Sequence, residues 1–65
     1  MSNEIARISS TDDVNSEIVL ISFYGGILRD KCLEVSVGGG FNREVVELTR
    51  DQVRQLQSAI NDWMG

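Results

Sequence analysis

The chain contains no proline and no histidine, a single cysteine (Cys32), and only four aromatic side chains: Phe23, Tyr24, Phe41 and Trp63. Each shortage removes a class of chemistry. Without histidine there is no side chain whose ordinary pKa places it as a general base near neutrality. A Cys–His nucleophile is therefore excluded, the serines lack an activating base, and a structural zinc site has no ligand set. One cysteine rules out an intramolecular disulfide, and a lone thiol suits a reducing compartment, so a cytoplasmic location is expected. No stretch approaches the roughly 20 apolar residues of a membrane span. The first residues carry Glu4 and one early base, Arg7, with no apolar segment behind them, which is not the pattern of a secretory signal.

Ten acidic residues stand against six basic ones, a net charge of -4. Phosphate neutralisation needs clustered Lys and Arg, so neither nucleic acid nor an anionic membrane surface is an expected partner. The charge keeps a small protein soluble, or it presents an acidic surface to a basic groove. At 65 residues there is room for one domain, spanning 1–65, and a chain this short buries only about 60% of its unfolded surface. Small folds make up the deficit with disulfides, a metal or oligomerisation. Here only the third remains, so a homo-oligomer is expected.

What is present is a clear alternation of elements. Residues 1–15 are polar, and Ser9-Ser10-Thr11-Asp12-Asp13 reads as a turn. Ile5 and Ile8 allow residues 4–9 to pair as a short edge strand, and a polar arm fits equally well. Glu17 to Tyr24 is β-branched and aromatic and stops at Gly25-Gly26. Both its faces are apolar, as in a central strand covered on two sides or one whose second face meets another subunit. Asp30 to Val37 alternates, with Leu33, Val35 and Val37 one way and Cys32, Glu34 and Ser36 the other. Gly38-Gly39-Gly40 ends it, and Arg43 to Leu48 forms a further strand. Connections this short predict an antiparallel meander over 17–48.

Leu48-Thr49-Arg50-Asp51-Gln52-Val53 carries the marks of a helix start. Thr49 is an N-cap, Gln52 completes a capping box, and Leu48 and Val53 occupy the staple positions. Val53, Leu56, Ile60 and Trp63 then recur at spacings of three and four, predicting one apolar stripe on a helix over 50–64. The expected fold is α+β and two-layered: an antiparallel three- to four-stranded meander with the C-terminal amphipathic helix packed on one face. On parity, the stripe should meet Val19, Ile21, Phe23, Leu33, Val35, Val37, Val46 and Leu48. Ile18, Leu20, Tyr24, Cys32 and Val45 are then left on the opposite face as a candidate interface. Trp63 suits the core or an interface, and tryptophan and tyrosine are both enriched at interface hot spots.

Two loops are candidate contact sites. Gly38-Gly39-Gly40 is followed by Phe41-Asn42-Arg43 and a strand, without the Lys-Ser/Thr and helix of a phosphate cradle. A hairpin turn using positive φ angles is the expectation, with Phe41 and Arg43 as possible rim residues. Gly25 to Lys31 holds Ile27 and Leu28, which either cap the core or form a recognition loop flanked by Arg29 and Lys31. Cys32 is expected to be structural. Glu34 and Glu47 are expected as cross-strand charges on a solvated face rather than as a catalytic pair. No catalytic set, cofactor site or metal site is expected, and the chain is not expected to be an enzyme.

The order of strands followed by Leu-Thr-x-x-Gln-Val and a terminal amphipathic helix, from Ile18 to Met64, resembles small phage- or prophage-encoded orphan proteins with a β-meander and a C-terminal helix. Leu48-Thr49-Arg50-Asp51-Gln52-Val53 is the clearest part of the match. The resemblance implies a stoichiometric effector that binds and inhibits a host or defence protein, and it carries over no functional residue. The expected function is thus a non-catalytic, homo-oligomeric binding protein with a protein partner. The alternatives are a sponge for a nucleotide or similar anion at a subunit interface, using Arg29, Lys31 or Arg43, and a structural subunit of a larger assembly.

Overall fold

A computed structural model describes residues 2–11, 16–39 and 41–65. Residues 12–15 of the polar N-terminal segment and Gly40 of the glycine turn lie outside the described residues. The fold is α+β, as expected. Strands β1 (Asn3–Ser9), β2 (Glu17–Tyr24), β3 (Lys31–Gly39) and β4 (Asn42–Leu48) form one open antiparallel sheet in chain order. Helix α1 (Arg50–Met64) follows. The N-terminal segment thus supplies a full strand, irregular between Glu4 and Ala6 where its register shifts.

The two described hairpins set the register. In β2–β3, Gly25 N donates to the Asp30 carbonyl at 2.6 Å and Asp30 N to the Gly26 carbonyl at 2.7 Å. Gly26 (φ 101°) and Asp30 (φ 57°) take the left-handed region that glycine and aspartate tolerate. In β3–β4 the strands close through Gly39 opposite Asn42, and Gly38 has φ 132°. A side chain at Gly38 would collide with the Asn42 backbone, so the glycine there answers a close approach as well as a torsion.

This register corrects the expected grouping of side chains. Tyr24 pairs with Lys31, Leu20 with Val35 and Ile18 with Val37, while Val19 pairs with Ser36, Ile21 with Glu34 and Phe23 with Cys32. Directly opposite residues share a face. Val19, Ile21 and Phe23 therefore lie with Cys32, Glu34, Ser36, Arg43, Val45 and Glu47, not with Leu33, Val35 and Val37. Ile18 and Leu20 lie with Leu33, Val35, Val37, Val46 and Leu48. Strand β2 is apolar on both sides, so its parity could not be assigned alone; a one-residue difference in pairing turns it over.

Helix α1 begins as its sequence implies. Gln52 N donates to Thr49 Oγ1 at 3.4 Å and Thr49 N to Gln52 Oε1 at 2.9 Å, completing the capping box. Gly65 (φ 98°) closes the other end, its N–H donating to the Asn61 carbonyl at 3.3 Å. The helix does not lie along the sheet, however. It contacts only β3 and β4, and none of its residues is buried. A single residue, Thr49, separates β4 from α1, so the cap sets the exit direction and no loop exists to turn the helix back. The molecule is flat as a result, 39 × 33 × 16 Å. Among the described residues, Val19, Cys32 and Ser36 are buried.

Candidate functional site

The two sheet faces differ in how they are covered. One is charged. Arg7 on β1 stands opposite Val19 and binds Glu4 at 2.8 Å and also Glu17. Arg43 on β4 meets Glu17 from the other side at 3.2 Å, donates from Nε to Ser36 Oγ at 2.8 Å, and reaches the Gly38 carbonyl at 3.3 Å. Two arginine stems thus converge on one carboxylate over Val19 and Ser36, which they help to bury. The hydrogen bond from Arg7 holds the Glu4 carboxyl below its usual value, and the carboxylates of Glu4 and Glu17 push the Arg7 guanidinium further up.

The same face is closed at its far end by Arg29. Its guanidinium lies 5.8 Å from the centre of the Phe23 ring and 3.2 Å from Glu47, which raises its pKa. Glu47 stands opposite Glu34, the cross-strand pair expected from the sequence. Cys32 is 3% exposed, with Sγ 3.7 Å from the Asp30 carbonyl. It is a structural thiol and offers no surface to a partner.

Of the residues expected to form one interface, Cys32 and Val45 therefore lie on the charged face, and Ile18, Leu20 and Tyr24 on the other. That second face is apolar from side to side: Ala6 and Ile8 on β1, Ile18 and Leu20 on β2, Leu33, Val35 and Val37 on β3, Val46 and Leu48 on β4. Its charged positions are Lys31, at the start of β3, and Glu44, near the other end of the β3–β4 pair. The assignment of Val35, Val37, Val46 and Leu48 to a helix-covered core concealed this face at the level of sequence. Its signal was the absence of any charge at alternate positions between Leu33 and Val37.

The first turns of α1 open a groove of about 320 Å³ with the sheet, lined by Ile5, Ser22, Cys32, Leu33 and Val53 together with the cations Lys31, Arg50 and Arg54. Beyond Val53 the helix stripe leaves the sheet. Leu56 is 42% exposed, Ile60 48% and Trp63 82%.

The loops separate as well. Ile27 and Leu28 do not cap the core; they are 92% and 99% exposed at the tip of the hydrogen-bonded β2–β3 hairpin. Phe41 is fully exposed at the tip of β3–β4. Arg29 and Arg43, candidates for holding an anion, are engaged by the chain's own carboxylates, and Arg50 lies 3.7 Å from Asp30. Lys31 is exposed at the start of β3. Among the described residues no three His, Cys, Asp or Glu side chains gather closely enough to share a metal ion, and no helix is long and apolar enough to cross a membrane.

Comparison with protein-family models, with curated proteins and with solved structures finds no match. The described surfaces of the chain are paired charges, an exposed apolar hairpin tip and an uncovered apolar face.

Proposed function

We propose that this chain is a non-catalytic binding protein, homo-oligomeric, that acts by occupying a protein partner through the β2–β3 hairpin tip. The observation that carries this is Ile27 and Leu28, fully exposed on a hairpin locked by two short backbone hydrogen bonds. Apolar side chains on a rigid tip lose little conformational entropy when they enter a pocket, which is how preorganised contacts gain affinity. The flanking Arg29 is held on Phe23 and Glu47, so the base of the tip is also fixed. Inhibition of a host or defence protein is the form of binding that the likeness to phage-type orphan proteins implies.

The anion sponge is less well supported, because Arg29 and Arg43 already have carboxylate partners. Affinity capture from a host lysate tests the proposal. A protein retained in stoichiometric amount by the native chain, and lost with Ile27→Asp/Leu28→Asp, is the expected result. Retention that is indifferent to those substitutions, or a thermal-stability gain with nucleotides and no captured protein, would overturn it.

A further inference from the structure

We infer that the uncovered apolar face and the helix stripe are the two halves of one self-complementary interface. In it, α1 of each copy seats on the apolar sheet face of a second copy in a two-fold dimer. This rests on the homo-oligomeric part of the function proposed above and gives it a geometry.

The first support is area. A compact monomer of this chain's 7.2 kDa should expose about 4,100 Å², and this chain exposes 5362 Å². The excess is roughly 1,200 Å² per chain, or about 2,500 Å² for two, within the size range of obligate homodimers. Its radius of gyration agrees: 13.0 Å against the roughly 10.7 Å expected for 65 compact residues. The chain as folded is too extended by about the amount a permanent partner would cover.

The second support is stability. A helix of 15 residues is marginal in water unless its apolar face is packed, and α1 buries none of its residues. Two buried apolar side chains, Val19 and Cys32, are a small core for four strands and a helix. Whatever covers the stripe and the apolar face must be present wherever the chain is folded. A second copy meets that condition; an occasional foreign partner does not.

The third support is shape. A two-fold interface is isologous, so the patch must fit itself. Val53 begins the helix stripe and lines the groove with Ile5 and Leu33, so stripe and sheet face open toward each other as the walls of a wedge. Two such wedges related by a two-fold axis interlock, each helix filling the opening of the other. Between Lys31 and Glu44 the sheet face itself carries no charge, and the cations that line the groove, Lys31, Arg50 and Arg54, are long side chains whose heads can stay hydrated while their stems are covered.

The test uses the native chain and its single tryptophan, Trp63, near the end of the stripe. Light scattering across the micromolar range should give twice the mass of one chain. Trp63 emission on the same samples should be that of a buried indole and shift to the red on dilution. Leu56→Asp/Ile60→Asp, at positions exposed on the single chain, should weaken the dimer at least a hundredfold. As a second probe, Val46→Cys/Ile60→Cys joined by a bifunctional thiol reagent should give a covalent dimer. A 7.2 kDa species throughout, a dimer indifferent to the Asp pair, or a cross-link confined within one chain would each overturn the inference. A monomer that still captures a protein through Ile27 and Leu28 would overturn the dimer and leave the binding function standing; a dimer without such capture would do the reverse.

Discussion

The charged and apolar faces of this sheet are built from the same four strands, yet only the charged one is finished by the chain itself. On that face Val19, Cys32 and Ser36 are buried although no helix or second sheet covers them. Over Val19 and Ser36 the cover consists of side chains, Arg7 and Arg43 meeting on Glu17; over Cys32 it is the β2–β3 loop, with Arg29 held against Phe23 and Glu47 beside it. The opposite face has no long polar side chain except Lys31 and Glu44, so its leucines and valines remain half open. Arginine stems can roof a single sheet layer because their aliphatic parts cover apolar surface while their heads stay hydrated. A face of Leu, Ile and Val has no such means and needs another layer.

The largest expected effect separates the two faces directly. In the dimer inferred above, Val35→Glu buries an unpaired charge at the centre of the apolar face, half open in the single chain, and should cost about 3 kcal/mol or more. Val45→Glu places the same charge on the other face, two residues along β4 from Arg43, and should change stability by less than about 0.5 kcal/mol. Chemical denaturation of both variants measures the contrast. Equal losses would mean that the faces are covered alike.

A smaller effect probes how the charged face is roofed. Arg43→Ala removes stem and head together, leaving Ser36 and Glu17 short of a donor, and should lose about 1–2 kcal/mol. Arg43→Met keeps an unbranched apolar stem and should recover part of that loss. If Met and Ala are equally destabilising, the hydrogen bonds rather than the stem do the covering.

Strands β2 to β4 and the helix were legible, β1 was open between a strand and a polar arm, and the assignment of faces was not legible. The capping box at Thr49 and Gln52 and the glycines at 25–26 mark ends that local chemistry decides, and there the structure follows the sequence; at the second glycine run it does not, since β3 continues through Gly38 and Gly39, paired with Arg43 and Asn42, rather than stopping at Val37. Which face of β2 is which depends on pairing Tyr24 with Lys31, a long-range consequence of how the Gly25–Asp30 loop closes. Apolar residues at both parities left no local signal to decide it. The exit direction of α1 was hidden for a related reason: an amphipathic stripe reports that a helix needs a cover, but not whose. Ile27 and Leu28 were visible as apolar residues in a turn, and only the closed hairpin shows that they point to solvent.

The smallest effect comes from the outer edge of the charged roof. Glu4 is exposed, and its hydrogen bond from Arg7 holds its carboxyl below the ordinary value of about 4.3. A carboxyl with a lowered folded-state pKa binds its proton more readily in the unfolded chain. Its contribution to stability is therefore complete above the ordinary value and disappears as pH falls through the lowered one. Denaturation midpoints taken downward from neutrality should show a slight loss in that window for the native chain. Added salt should reduce it, since both partners face solvent. Glu4→Gln should remove that part of the slope while leaving neutral-pH stability nearly unchanged. Identical acid profiles for the two chains would mean that the roof ends at Glu17, where Arg7 and Arg43 meet, and that Glu4 only decorates its rim.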